Sequence, residues 1–250
     1  MDAAKNELNG QAALFQRLQS NLADLIARTP AGQRLPAEPQ LAKQLGVSRA
    51  TLREAMRSFE GKGLIRRRQG VGTFVVSQSD VIESGLEVLE SIETLAGKIG
   101  LDVTMGDLRI DTIQANEHLA QALQVPDGEP LTCVIRVIYA DGRPVAYLID
   151  RLPQDILTPT DLEEGFTGSV LDLLLQRGSP QLTKSYAEIR AEAASPEVAR
   201  ALEIQRGDVL LNFVALLYAA DGRVVDYSYS YFLPGYFRFH VIRRVGTGVV

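Results

Sequence analysis

The sequence predicts an α+β protein in two parts: a basic, helical N-terminal third ending in a Gly-tipped hairpin, and a larger acidic part built on one antiparallel sheet. Three observations carry this. Residues 1–78 hold 12 Lys/Arg against 6 Asp/Glu, a balance of +6, whereas residues 79–250 hold 14 against 25, a balance of −11. Apolar residues of the first third recur at helical spacing until about residue 60, where short strand-like runs take over. Residues 117–153 then resemble residues 196–234, each reading as helix, turn, strand, Asp-Gly turn, strand. At 250 residues and 46% hydrophobic, the chain can bury substantial cores.

Some classes are set aside early. No run of roughly 18 or more apolar residues suggests a membrane span, and "MDAAKNELNG" lacks the basic and apolar regions of a secretory signal. Cys133 is the only cysteine and His118 and His240 are the only histidines, so neither a disulfide framework nor a metal site is expected, and no cofactor. A reducing cytoplasm is the expected location.

In the first third, "AALFQRLQSNLADLIART" places Leu14, Leu18, Leu22, Leu25 and Ile26 on one helical face, before Pro30 and Gly32 break the pattern. "LPAEPQLAKQL" restarts a helix, with Pro36 at an early position, Glu38 favourable to the N-terminal dipole, and an apolar stripe of Leu41, Ala42 and Leu45. Gly46 ends it. Gly46-Val47-Ser48 is then the turn of a helix-turn-helix, with Ser48 as the N-cap of a third helix.

That third helix divides by face. Leu52, Ala55, Met56 and Phe59 form its core side. Arg49, Arg53 and Arg57 stack along another side, with Thr51 near the N-terminal end. Guanidinium groups so placed suit guanine edges or phosphates in a major groove. "LIRRR" and "TFVV", joined by Gln69-Gly70-Val71-Gly72, form a hairpin whose glycines permit a tight turn against a nucleic acid. A solvated Arg face and an ordinary hairpin are each common; their order together points to DNA binding.

Residues 34–75, "RLPAEPQLAKQLGVSRATLREAMRSFEGKGLIRRRQGVGTFV", resemble the winged helix-turn-helix of the GntR family of bacterial transcription regulators. The resemblance implies a homodimer on a short palindrome in double-stranded DNA. It places Arg49 and Arg53 on bases or adjacent phosphates, Ser48 and Thr51 on phosphates, and Gln69-Gly70 in the minor groove. Arg57, Arg67, Gly72 and Thr73 complete the expected DNA-contacting set. Where the family often has Arg after the Glu of this segment, Pro39 follows Glu38.

In the acidic part, Leu123 matches Leu202, Gly128 matches Gly207 and Leu131 matches Leu210 at an offset of 79. After one inserted residue, Gly142 matches Gly222 and Val145 matches Val225 at an offset of 80. The expectation is one duplicated antiparallel sheet with helices on one side. The copies differ in polar content: Arg136 has no cationic counterpart. "VDYSYSYF" puts Val225, Tyr227, Tyr229 and Tyr231 on one face, with Asp226, Ser228 and Ser230 on the other. Such divergence suits a pocket with a few placed polar groups.

"ESIETLAGKIG", "IRVIYADGRPVAYLIDRLP", "GSVLDLLLQRG" and "RFHVIRR" resemble the UTRA domain of the HutC-type branch of that family, over about residues 88–245. The resemblance implies a chorismate-lyase-like fold that binds a small-molecule effector, with Ser91, Arg136, Ser169, Asp226 and Phe232 as contacts. Members that read sugar phosphates tend to have Arg-x-Arg, but here Ile138 takes the second position. Leu148 replaces a common Glu. Both departures remove polar contacts, leaving a larger or less charged ligand as open as a phosphosugar.

The expected organisation is a DNA-binding domain over 10–77, a linker over 78–94 that is the candidate hinge, and an effector-binding and dimerisation domain over 95–245. The expected function is that of an effector-responsive transcription regulator, a repressor that the effector releases or repositions. An enzyme in the second part is disfavoured, because the two histidines lack a nucleophile or metal spacing and no phosphate loop is present. An RNA binder is disfavoured because aromatic platforms are missing from residues 34–76.

Overall fold

The structure is a computed structural model that describes residues 2–61, 63–68, 71–76, 82–99, 101–163, 166 and 168–243, with side chains from residue 14 onward except those of Arg68 and Glu83. The chain divides into two units, residues 1–81 and 82–250.

The first unit packs three helices, α1 (Asp2–Arg28), α2 (Glu38–Leu45) and α3 (Arg49–Gly61), with a two-stranded antiparallel sheet of β1 (Ile65–Arg68) and β2 (Gly72–Val75). The stripes expected from periodicity converge: Leu18, Leu22 and Ile26 meet Leu41, Ala42, Leu52, Ala55, Met56, Phe59 and Ile65 in one core. Residues 32–35 lie along β2, with the Leu35 amide donating to the Thr73 carbonyl at 2.7 Å and Val75 donating to Gln33 at 2.9 Å. Pro36 lies outside α2. Ala37 is the N-cap, and Pro39 occupies the first turn, where its missing N–H has no carbonyl to serve. Gly46 ends α2 at φ 66°, in the left-handed region that glycine adopts without strain. Leu52 is fully buried at the centre of this core. Leu52→Ala is expected to lower the unit's stability by about 2–5 kcal/mol, seen as accelerated hydrogen exchange of the α3 amides.

The second unit is a six-stranded antiparallel sheet of β4 (Val103–Gln114), β5 (Pro130–Ala140), β6 (Arg143–Pro153), β7 (Leu182–Ala193), β8 (Val209–Ala219) and β9 (Val224–Phe232), in the order β4-β5-β6-β9-β8-β7. The order is a duplication in space. The repeat begins earlier than expected, because β4 and β7 also correspond at an offset of 79. The two halves join at β6 and β9, where Ile149 pairs with Tyr229, its own equivalent at an offset of 80. A pseudo-two-fold axis therefore passes through that pair.

Helices cover both faces rather than one. The helices of the recognised repeat, α5 (Glu117–Leu123) and α7 (Pro196–Ala201), lie on the tyrosine face: α5 packs on Leu131, Val214 and Tyr227, and Glu197 of α7 accepts a hydrogen bond from the Tyr147 hydroxyl at 2.8 Å. The opposite face carries α4 (Ile92–Lys98) and α6 (Val170–Arg177), with Val170 and Leu174 against Val134, Leu152 and Leu217. Val225 differs from expectation as well. A bulge between the Leu217 and Tyr218 pairs leaves it unpaired, and it packs with Leu217 and Val170 instead of joining the tyrosines.

Residues 82–94, expected within a linker, are built into this unit. A strand β3 (Ile82–Gly85) pairs in parallel with β10 (Phe237–His240), and Ser91 caps α4. The pairing joins segments some 155 residues apart, which no local pattern announces. Of the candidate hinge, residues 77–81 lie outside the described residues.

Candidate DNA-reading edge and ligand cavity

The N-terminus of α3 is built by its own sequence. The Ser48 hydroxyl accepts from the Thr51 amide at 3.0 Å and lies 2.8 Å from the Thr51 hydroxyl, so both side chains are fixed at the helix start. Arg49, Arg53 and Arg57 are exposed along one side of the helix, and Leu52, Ala55, Met56 and Phe59 are buried on another. The triad is not uniformly free. Arg53 Nε donates to Glu38 Oε2 at 2.7 Å, Arg67 Nη2 lies 3.4 Å from Glu38 Oε1, and Arg57 lies 3.4 Å from Glu54. Glu38 thus ties α3 to β1. All three arginines are about half exposed, so these pairs add little stability. Their consequence is orientation.

In the hairpin, alternation separates Arg66, which is buried, from Arg67, which is exposed. Thr73, expected among the DNA contacts, is only 7% exposed; its side chain turns inward and its carbonyl accepts from Leu35. Gln69 and Gly70 lie outside the described residues. Gly72 has φ 140°, and a Cβ there would fall 2.3 Å from Arg34 Nε. Only glycine lets the exposed Arg34 guanidinium lie against the base of the hairpin, a cation that sequence reasoning passed over.

In the second unit a cavity of about 270 Å³ opens between the α4/α6 face of the sheet and residues 84–90. All five expected ligand contacts line it: Ser91, Arg136, Ser169, Asp226 and Phe232. The two serines are pseudo-equivalent N-caps. Ser91 accepts from the Thr94 amide and Ser169 from the Asp172 amide, each at 3.0 Å, and the Ser91 hydroxyl donates to Asp172 at 2.6 Å. That last bond links the starts of α4 and α6.

Arg136 is 5% exposed and donates through Nη2 to Asp150 at 2.9 Å, with its guanidinium 5.9 Å from the centre of the Phe166 ring, while its Nε and Nη1 have no hydrogen-bond partner. Asp226 accepts from the Arg151 amide at 3.1 Å. Burial first, and the neighbouring Asp150 second, hold the Asp226 carboxyl well above its ordinary range. Burial also raises Glu93, whose Oε1 is buried without a partner. Sequence reasoning missed Glu93 and Asp150. The serines Ser228 and Ser230 face the same space, as do Phe213, Phe237 and Phe239 around Phe232. Position 136 is matched in the second copy by Ala215, so the duplication leaves one cation off the axis. His118 packs its ring 5.6 Å from Tyr227 on the opposite face.

A helix-turn-helix with a basic hairpin, joined in one chain to a duplicated sheet that encloses a polar cavity, defines a DNA-binding regulator with a ligand-binding unit. Residues 13–75 match the model of the bacterial regulatory proteins of the gntR family, and residues 98–238 match that of the UTRA domain. The chain belongs to the GntR family and carries a UTRA domain. It is 30% identical over 207 residues to the histidine utilization repressor of Pseudomonas putida, covering 81% of each chain. It is 26% identical over 237 residues to the mannosyl-D-glycerate transport/metabolism system repressor MngR of Escherichia coli (strain K12), covering 94% of this chain and 98% of that protein. The crystal structure of PhnF from Mycobacterium smegmatis shares the fold, with a TM-score of 0.63 at 22% identity over 92% of this chain and all of that one. No helix among the described residues is long and apolar enough to cross a membrane.

Proposed function

We propose that the chain is a cytoplasmic repressor that binds an inverted-repeat operator as a homodimer and loses operator affinity when a small molecule enters the cavity. The observation that carries this is the pairing of an exposed α3 edge with a cavity whose wall includes residues 84–90, directly after the connection between the units. Relatives named as repressors support the sign of regulation. Ser48, Arg49, Thr51, Arg53 and Arg57 form the reading edge, with Arg67, Gln69, Gly70, Gly72 and Arg34 at the wing. Thr73 shapes the wing from inside.

Residues 86–90 form a strap tied at both ends. The Leu86 amide donates to the His240 carbonyl at 2.9 Å, the Ile242 amide donates to Glu87 at 2.6 Å, and Lys98 pairs with Glu90 at 2.5 Å. A ligand against this strap favours one position of β3 over another, and so biases the connection that follows Val76. Two α3 helices read a palindrome only when they lie about 34 Å apart, one DNA turn. A ligand that prefers another spacing lowers operator affinity by its differential affinity for the two states; inverting a 99:1 population takes about 5.5 kcal/mol.

Selection of binding sites from random duplexes, with sedimentation of the protein alone, tests this reading. The expected outcome is enrichment of inverted repeats and a dimer mass. Enrichment of single half-sites bound by a monomer would refute it.

A further inference from the structure

We infer that the cavity takes a zwitterion with an apolar ring, its anionic group on Arg136, its protonated nitrogen at Asp226 and Glu93, and its ring among the four phenylalanines. The inference rests on the reading of this cavity as the effector site and names the class of effector.

Charge is the first ground. Arg136 is the only cation among the described residues lining the cavity, against five carboxylates; those of Glu87 and Glu90 are engaged by the Ile242 amide and by Lys98, which leaves Glu93, Asp150 and Asp226 to Arg136. Asp150 engages one nitrogen, so Nε and Nη1 remain for an anion. An anion with no accompanying cation would add negative charge beside carboxylates already crowded. A dianionic phosphate would add the most. A ligand carrying both signs satisfies the free guanidinium nitrogens and neutralises the excess carboxylates together. The unpartnered Oε1 of Glu93 and the raised carboxyl of Asp226 are what such a site looks like without its cation.

Position is the second ground. In the sheet, Arg136 pairs with Leu148 and Asp150 with Ser228, so Asp226 stands one step beyond Ser228 on the same face. The carboxylates therefore flank the guanidinium instead of all bonding it. At the other end of the cavity, Phe232 lies 5.3 Å from Phe213, 4.8 Å from Phe237 and 5.0 Å from Phe239, ring centre to ring centre. Ser230 and Ser84 stand beside Phe213 and Phe239 in that wall, but the four rings make up most of it and suit a flat apolar body. Charges at one end and rings at the other match the layout of an aromatic amino acid.

Thermal melting of the full chain tests this with four probes of one shape at millimolar concentration: phenylalanine, 3-phenylpropanoate, 2-phenylethylamine and phenyl phosphate. Phenylalanine is expected to raise the melting temperature most. Its apparent affinity should fall by about tenfold or more in Asp226→Asn, which keeps shape and removes charge, and likewise in Arg136→Met. Equal or greater stabilisation by 3-phenylpropanoate or phenyl phosphate, no loss in Asp226→Asn, or stabilisation by none of the four overturns the inference. Ala215→Trp, which fills the cavity, separates that failure from failure of the site itself. If a probe stabilises the protein and Ala215→Trp abolishes the effect, the cavity reading stands whatever the probe's charge. If the effect persists, the cavity reading falls.

Discussion

Arg136→Ala is expected to destabilise the second unit by about 3–5 kcal/mol, as removal of one partner from a buried ion pair does. Its side chain is 6% exposed and that of Asp150 13%, so the Asp150 carboxylate would lose its cation at a largely buried position. The loss should depend on pH, and its sign follows from linkage. Without Arg136, the carboxyls of Glu93 and Asp226, already raised by burial, lose an attraction that lowers them. An acid whose pKa is higher folded than unfolded binds more protons in the folded state, so stability falls as pH rises above the ordinary carboxylate value, about 4. The difference in melting temperature between variant and parent should therefore be small near the acid end of the folded range and grow toward neutrality. Adding Asp150→Asn should recover much of it, because the uncompensated charge leaves with its partner. A pH-independent loss, or no recovery in the double variant, would show that Arg136 acts by packing alone. At equal folded fraction, operator binding should persist in Arg136→Ala while any effector response is lost.

What the sequence made legible follows from the range of the interactions. The helix-turn-helix is local: Gly46, Ser48 and the apolar stripe lie within about four turns of helix, and each falls where spacing placed it. The duplication was legible because strongly apolar strands β5 and β8 repeat at a fixed offset. Strands β4 and β7 repeat at the same offset but form the two edges of the sheet, where side chains stay largely exposed and little apolar pattern survives. The partner of Arg136 was hidden by one residue. A plain two-residue turn at Asp141-Gly142 would set Arg136 opposite Tyr147 and turn Asp150 to the other face. The bulge that leaves Val145 unpaired shifts the register, so Arg136 meets Leu148 and Asp150 comes onto its face. An equivalent bulge at Val225 moves that residue off the tyrosine face in the second copy. Both bulges lie just past the turn where the repeat offset changes from 79 to 80; the inserted residue lengthens that turn in the second copy only, so it does not announce a bulge that both copies share.

Arg53→Ala is expected to weaken binding to the cognate operator by about 1–3 kcal/mol, roughly 5- to 150-fold, and to relax selectivity at the base pair it reads. Arg67→Ala should instead weaken binding to all duplexes alike and lower the salt slope by about one. The two side chains share Glu38, which lets a third variant separate aim from charge. Glu38→Gln removes a negative charge from beside Arg53 and Arg67, so affinity for random duplex should rise if these arginines meet DNA as proposed. It also frees Arg53 from an ionised partner 2.7 Å away, so the cognate-to-random ratio should fall. Fluorescence anisotropy of labelled cognate and random duplexes across a salt series measures all three. Equal losses on random DNA for Arg53→Ala and Arg67→Ala would remove the division between reading and anchoring. An unchanged ratio in Glu38→Gln would show that Arg53 finds its base without being aimed. Pro39, which stands where relatives of this family often place Arg, sharpens the point: with no cation at that position, Glu38 has Arg53 and Arg67 as its partners, and α2 contributes orientation to the interface rather than charge.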